Sequence, residues 1–208
     1  MNNLKIPEIE FRYSWIYDEQ YRSDIKIIRE LKKLNMKYPS YKTISNYMKK
    51  IESSWKHKRE LILKELSNIS GLDWKDDKII CYVVGYGIPF SDPLTIPVYK
   101  NDIDYGIYVL THELIHQLFI QVGNMEKSKK SWSYIWNKYK EQSVTTKIHI
   151  PLHAIQSYLY RKNFGEKLIK KDKMRMKKRI DYSNSWKIVE MEGCENIIKE
   201  FRRRIKNE

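Results

Sequence analysis

Apolar residues in the first third of the chain recur at helical spacing. In "YDEQYRSDIKIIRELKKLNM", residues 17–36, Tyr21, Ile25, Ile28, Leu31 and Leu34 follow a 3.6-residue period, which predicts one amphipathic helix. "SYKTISNYMKKIESSWKHKRELILKELSN", residues 40–68, predicts a second helix whose charged outer face carries His57. Gly71 stops this pattern and the period shortens. "KIICYVV", residues 78–84, is rich in β-branched and aromatic residues and reads as a buried strand. "GYGIPFSDP" follows as a turn-rich loop, then "LTIPVY", residues 94–99, as another strand. Pro97 donates no ladder hydrogen bond, so that strand is expected at a sheet edge or with a bulge.

Helical periodicity then returns. Asn101 or Asp102 can cap a helix with Asp104 in its first turn, reaching about Val122 and stopping at Gly123-Asn124. Ile107, Tyr108, Leu110, Leu114, Ile115, Leu118 and Phe119 leave this helix apolar on most sides, the mark of a central element. Ser131 can cap a short helix, "WSYIWNKYKEQ", and Thr145 or Thr146 can open another reaching about Asn163. Because Pro151 suits only a first turn, its regular part is expected to begin near 149. Gly165 ends it. "EKLIKKDKMRMKKR" reads as a basic linker, and "YSNSWKIVEMEGCENIIKEFRRRI" as two helices divided at Gly193. No internal repeat is visible. The fold class this predicts is α+β, mostly helical, with a small sheet above the helix that follows residue 101.

Composition narrows the function classes. With 41% hydrophobic and 13% aromatic residues the chain can bury a core, which excludes disorder. The formal net charge of +14 raises nucleic acid or an anionic surface as partner. The charge is spread along the chain, however, and Lys, Ile, Asn and Tyr are all abundant, as AT-rich codon usage produces. Nucleic acid is therefore a secondary expectation. Two distant cysteines, Cys81 and Cys194, imply neither a disulfide framework nor a cysteine zinc site. The start, "MNNLKIPEIEF", lacks the apolar core of a signal peptide, and His112, Glu113 and His116 break the run 105–123 as a membrane span. A cytoplasmic protein with no membrane partner is expected.

The same three residues carry the chemistry. In "VLTHELIHQLF", residues 109–119, His112 and His116 lie four apart. Such positions differ by about 40° and about 6 Å on a helix, so both imidazoles leave one face one turn apart. Two ring nitrogens can then meet one ion at about 2.0–2.1 Å, while Glu113, set to the side, reaches a water on that ion. Without a partner, burial would cost on the order of 2–7 kcal/mol per polar group, a difficulty that a cation removes. A zinc site needs a third protein ligand, with water in the fourth place. Glu126 lies just past the helix end, too near to serve. Glu141 ends a short amphipathic helix and reads as a surface carboxylate. "KIHIPLHAIQSYL" offers His149 and His153, again four apart. His149 is the expected ligand. His153 is expected to orient a ligand or face the substrate, and Glu141 stays open as the third ligand.

"HELIH" matches the active-site helix motif of the zincin metallopeptidases at every defined position. The metzincin extension would place a glycine and a third histidine where Phe119 and Val122 stand, which excludes that class. The order strand, loop, edge strand, active-site helix and ligand helix resembles the gluzincins and minigluzincins over roughly residues 78–163. Their third ligand is a glutamate, whereas the best-placed residues here are histidines. The chain looks most like small uncharacterised metallopeptidases of microbial genomes. The resemblance implies zinc-dependent hydrolysis of a peptide or protein substrate. His112, His116 and His149 would hold Zn²⁺, and Glu113 and His153 would be the catalytic pair. Glu113 is the general base, and His153, Tyr105 or Tyr158 the oxyanion donor. "LTIPV" would pair with an extended substrate. One domain over 1–208 is expected, with an N-terminal helical part (1–69), a catalytic core (70–165) and C-terminal helices (166–208). The rival is a basic module that binds nucleic acid or another partner, with a structural or vestigial zinc site. The interleaved aromatic and basic residues of "YLYRKNFGEKLIKKDKMRMKKR" favour that rival.

Overall fold

The first described element is a strand that apolar periodicity does not reveal. In the computed structural model, which describes residues 5–100 and 102–205, β1 (Glu8–Arg12) turns Ile9 and Phe11 inward and exposes Glu8 and Arg12. It pairs in parallel with β2 (Lys78–Val84), Glu8 opposite Lys78. β3 (Phe90–Ser91) is antiparallel to β4 (Leu94–Pro97), which is parallel to β2, giving the order β1-β2-β4-β3. With ten helices beside this mixed sheet among the described residues, the fold is α+β and mostly helical. No described helix is long and apolar enough to cross a membrane.

β4 is an inner strand, not the expected edge. The parallel ladder to β2 runs on past Pro97, since Val98 N–H donates to the Val84 carbonyl at 3.0 Å. Alternation then turns the Pro97 nitrogen toward β3. That strand pairs only with Leu94 and Thr95 and is preceded by Pro89. The proline is thus accommodated where the ladder has already stopped, and β3 takes the edge.

The chain divides into two compact units interleaved along the sequence, so the blocks 1–69, 70–165 and 166–208 do not coincide with them. One unit comprises Ile6–Glu60 and Asp76–Gln117. It holds the sheet, α1 (Trp15–Ser23), α2 (Ile25–Lys33), the first two-thirds of α3 (Tyr41–Ser70) and most of α4 (Ile103–Ile120). Residues 17–36 are therefore two helices. The Asp24 carboxylate accepts from the Lys26 and Ile27 amides at 2.7 and 3.4 Å, capping α2 and breaking the chain after Ser23. Asp102 opens α4 by accepting from the Tyr105 amide at 3.1 Å, while the alternative cap, Asn101, lies outside the described residues. Gln117 of α4 donates to the Ser91 carbonyl of β3, and buried Cys81 of β2 faces Glu113, so the sheet packs on α4.

Gly106 sets how closely α3 approaches α4. A Cβ there would stand 2.1 Å from the Tyr47 hydroxyl oxygen and 3.1 Å from Ile51 Cδ1. Gly106→Ala removes a helix-interior glycine, worth up to about 1 kcal/mol, but overpacks a buried contact at a cost of about 1–3 kcal/mol. Net destabilisation is expected in urea unfolding, partly relieved when Tyr47→Phe removes the oxygen. Additive effects of the two changes would contradict a direct clash.

The other unit contains Leu61–Lys75 and the chain from Leu118 onward. It holds α5 (Asn124–Lys127), α6 (Lys129–Lys138), α7 (Val144–Asn163), α8 (Lys167–Met176), α9 (Ile180–Glu192) and α10 (Cys194–Arg202). Ser128, not Ser131, precedes α6, and Ser131 donates instead to the Phe201 carbonyl at 2.7 Å. Ser143 caps α7, accepting from the Thr146 amide at 3.1 Å. The helix thus starts earlier than expected and contains Pro151, which leaves the Lys147 carbonyl without its helical donor. The expected basic linker is α8, anchored by buried Ile169 and Asp172. α9 and α10 part at Gly193, whose φ of +81° suits glycine, and both pack on α7.

Candidate metal centre

α4 presents His112 and His116 from adjacent turns, their ring centroids 5.2 Å apart and both half-buried. α7 presents His149, buried at 5% exposure. One ligand atom from each of the three lies within 4.8 Å of the others, close enough to hold a single metal ion. No fourth His, Cys, Asp or Glu joins them among the described residues.

The donor chemistry fits a metal. His149 Nδ1 lies 2.7 Å from the Thr145 carbonyl oxygen, which can only accept. Nδ1 therefore carries the proton and Nε2 the lone pair. Burial holds the pKa of His149 below its ordinary value and keeps the ring neutral, the form that binds metal. Glu113 is 6% exposed, and no donor or cation pairs with it among the described residues. Burial alone pushes its pKa up to about 8. A cation at the neighbouring imidazoles acts the opposite way and satisfies the carboxylate that the fold otherwise isolates.

The remaining candidates fall elsewhere. His153 is fully buried. Its Nδ1 is 2.9 Å from Ser185 Oγ, whose hydroxyl donates to the Tyr182 carbonyl, and its ring stacks on Trp186 at 4.0 Å. α9 covers that side of α7 and encloses the ring. Glu141 is exposed in the turn after α6, and Glu126 pairs with Lys129 at 3.7 Å, so neither joins the cluster. Tyr158 follows His149 by nine positions, which is half a revolution round α7 and about 13.5 Å along it. Tyr105, two turns before His112, is buried against Tyr99 and Tyr108 at 5.0 and 5.9 Å.

Sequence reasoning missed Tyr182. Its half-buried ring lies 4.4 Å from that of His149. Asp181 fixes this end of α9, accepting from Ser143 Oγ at 2.6 Å through its carboxylate and from Thr146 Oγ1 at 3.1 Å through its carbonyl. Nothing in the spacing of the histidines points to a residue so far along the chain.

What fold and site together define is an α+β protein with a three-histidine cluster competent to bind a metal. No protein-family model matches the chain, and no curated protein or solved structure matches it.

Proposed function

We propose that the protein is a zinc-dependent hydrolase of peptide bonds, with His112, His116 and His149 as ligands and Glu113 as general base. The observation that carries this reading is Glu113 itself, a buried and unpaired carboxylate beside the first of three convergent histidines. Three imidazoles suit Zn²⁺, and three protein ligands leave the place that water takes in catalytic sites. When bound, the ion supplies a Lewis acid that polarises a carbonyl and acidifies water.

The protein's own groups do the rest. Glu113 takes the proton of the attacking water and passes it to the leaving amine. The Thr145 carbonyl holds the tautomer of His149. His153, braced by Ser185 and Trp186, keeps the face of α7 behind that ring rigid. The apolar residues of α4 keep the carboxylate dry, which strengthens each electrostatic contact it makes.

Chelation tests the reading. Dialysis against a strong chelator should abolish cleavage of casein, an unstructured substrate, and one equivalent of Zn²⁺ should restore it. Cleavage that survives complete metal removal, or none by fully metallated protein, sinks the assignment.

A further inference from the structure

We propose, building on the peptidase reading, that the protein selects acidic peptides and that Arg179 is the residue that reads a substrate carboxylate. The argument starts from where α9 begins. The Asp181 tethers to Ser143 and Thr146 hold that end against the start of α7, and the Tyr182 ring lies 4.4 Å from His149. The Arg179 guanidinium carbon lies 6.0 Å from the centroid of the same tyrosine. One aromatic ring therefore separates a cation from a candidate metal ligand.

That cation has company and no counter-charge. Lys177, Lys178 and Arg179 are consecutive and exposed, and none pairs with a carboxylate among the described residues. Two of the preceding cations are paired, Lys170 with Glu166 at 3.4 Å and Lys173 with Glu190 at 2.5 Å. Asp181, the acid next in sequence, already accepts from Ser143. Lys177 and Lys178 close α8, where a helix C-terminus favours cations, but local stability does not explain Arg179. Arg179 occupies the N-cap of α9 and makes no side-chain cap bond, where Ser, Thr, Asp or Asn would stabilise the helix and a cation opposes its dipole. A local rule broken without local compensation, next to a candidate active site, is what a substrate contact looks like.

Geometry sets the register. An extended peptide advances about 3.3–3.6 Å per residue, so Arg179 would meet a side chain about two to four residues from the scissile bond. A guanidinium pairs with a carboxylate through two parallel hydrogen bonds, which gives direction as well as attraction. Phosphate would be attracted by the same charges. The pairing of Lys170 and Lys173 with carboxylates interrupts the cations along α8, where a nucleic-acid backbone would track an unbroken stripe.

The test separates binding from turnover. Zinc-loaded Glu113→Gln protein, full length, would be titrated into fluorescein-labelled peptides of equal length, one Glu-rich and one Gln-rich, and into a single-stranded oligonucleotide. The Glu-rich peptide should bind at least about tenfold tighter than the neutral one, with a preference that shrinks as salt rises. Arg179→Glu should erase that ratio and Arg179→Lys should keep part of it, neither with a lower thermal melt than the parent. Lys177→Gln with Lys178→Gln should lower it less. In otherwise wild-type protein, Arg179→Glu should also reduce the acidic-over-neutral ratio of kcat/KM. Equal affinities for the two peptides overturn the proposal. So does an oligonucleotide that binds tighter than the Glu-rich peptide and depends on Arg179. If no peptide is cleaved at all, the peptidase reading fails, while the binding ratio still decides the role of Arg179.

Discussion

His112→Ala, His116→Ala and His149→Ala should each empty the metal site, and Glu141→Ala should leave it full. Among the described residues only the three histidines bring ligand atoms within 4.8 Å of one another, and Glu141 is exposed in the turn after α6. Removing one of three protein ligands leaves two, too few to retain zinc against dialysis. Stability should follow occupancy, because a ligand present at about 1,000 times its Kd adds about 4 kcal/mol to the folded state. For a chain of this size that corresponds to a fall in Tm on the order of 10 °C when zinc is supplied, and much less when it is withheld. His153→Ala would open a cavity against Trp186, so Ser185→Ala is the cleaner probe of the residue behind the ligand. Ser185 reaches the site only through His153, so this change should weaken zinc by less than the roughly 10-fold that loss of a ligand's own hydrogen-bond partner costs. Elemental analysis and melts with and without zinc decide the series. A site emptied by Glu141→Ala alone, or one still full in all three histidine variants, would refute the ligand set.

α4 was legible because its period, its cap and its chemistry occupy one unbroken stretch, from Asp102 through "HELIH". β2 and α3 were legible for the same reason, being long runs of one period. His149 followed from pairing with His153 at a helical interval, and the structure groups it with His112 and His116. What spacing could not show is the element across from the pair. Both histidines leave the same face of α7, but α9 lays Trp186 and Ser185 over one of them and only Tyr182 beside the other.

The local misreadings have separate causes. Apolar periodicity runs from Tyr21 through Ile25 to Leu31 without noticing that Asp24 offers its own backbone a cap, so two helices read as one. Charge density hid α8, in which Ile169 and Asp172 alone are buried. β1 and β3 are short, and a strand of two residues carries no period. Pro97 said truly that a ladder position would be lost there, but the sheet loses it past the end of β3 rather than along the whole of β4. In each case a tertiary partner, absent from any local window, chose between readings that the sequence allowed.

Glu113→Gln should keep its zinc and its fold while losing catalysis. Glutamine has the same shape, and burial already favours the neutral carboxyl at this position before any ion arrives. Packing within α4 is therefore undisturbed, and the metal-free variant should melt at or above the wild type at neutral pH, because the amide avoids the proton uptake that burying Glu113 demands. The three imidazoles are untouched, so elemental analysis should still find about one zinc per chain. What the amide lacks is a basic oxygen to receive the proton of water and return it to the leaving amine. Removing a positioned general base typically costs about 10²–10⁴-fold in rate, and cleavage of casein or of a peptide library should fall by at least that much. The comparison with His112→Ala is what gives the result its meaning, since that variant should lose metal and activity together. Loss of zinc in Glu113→Gln would make the carboxylate a ligand and end the general-base assignment. Retained zinc with undiminished cleavage would show that some other group moves the proton.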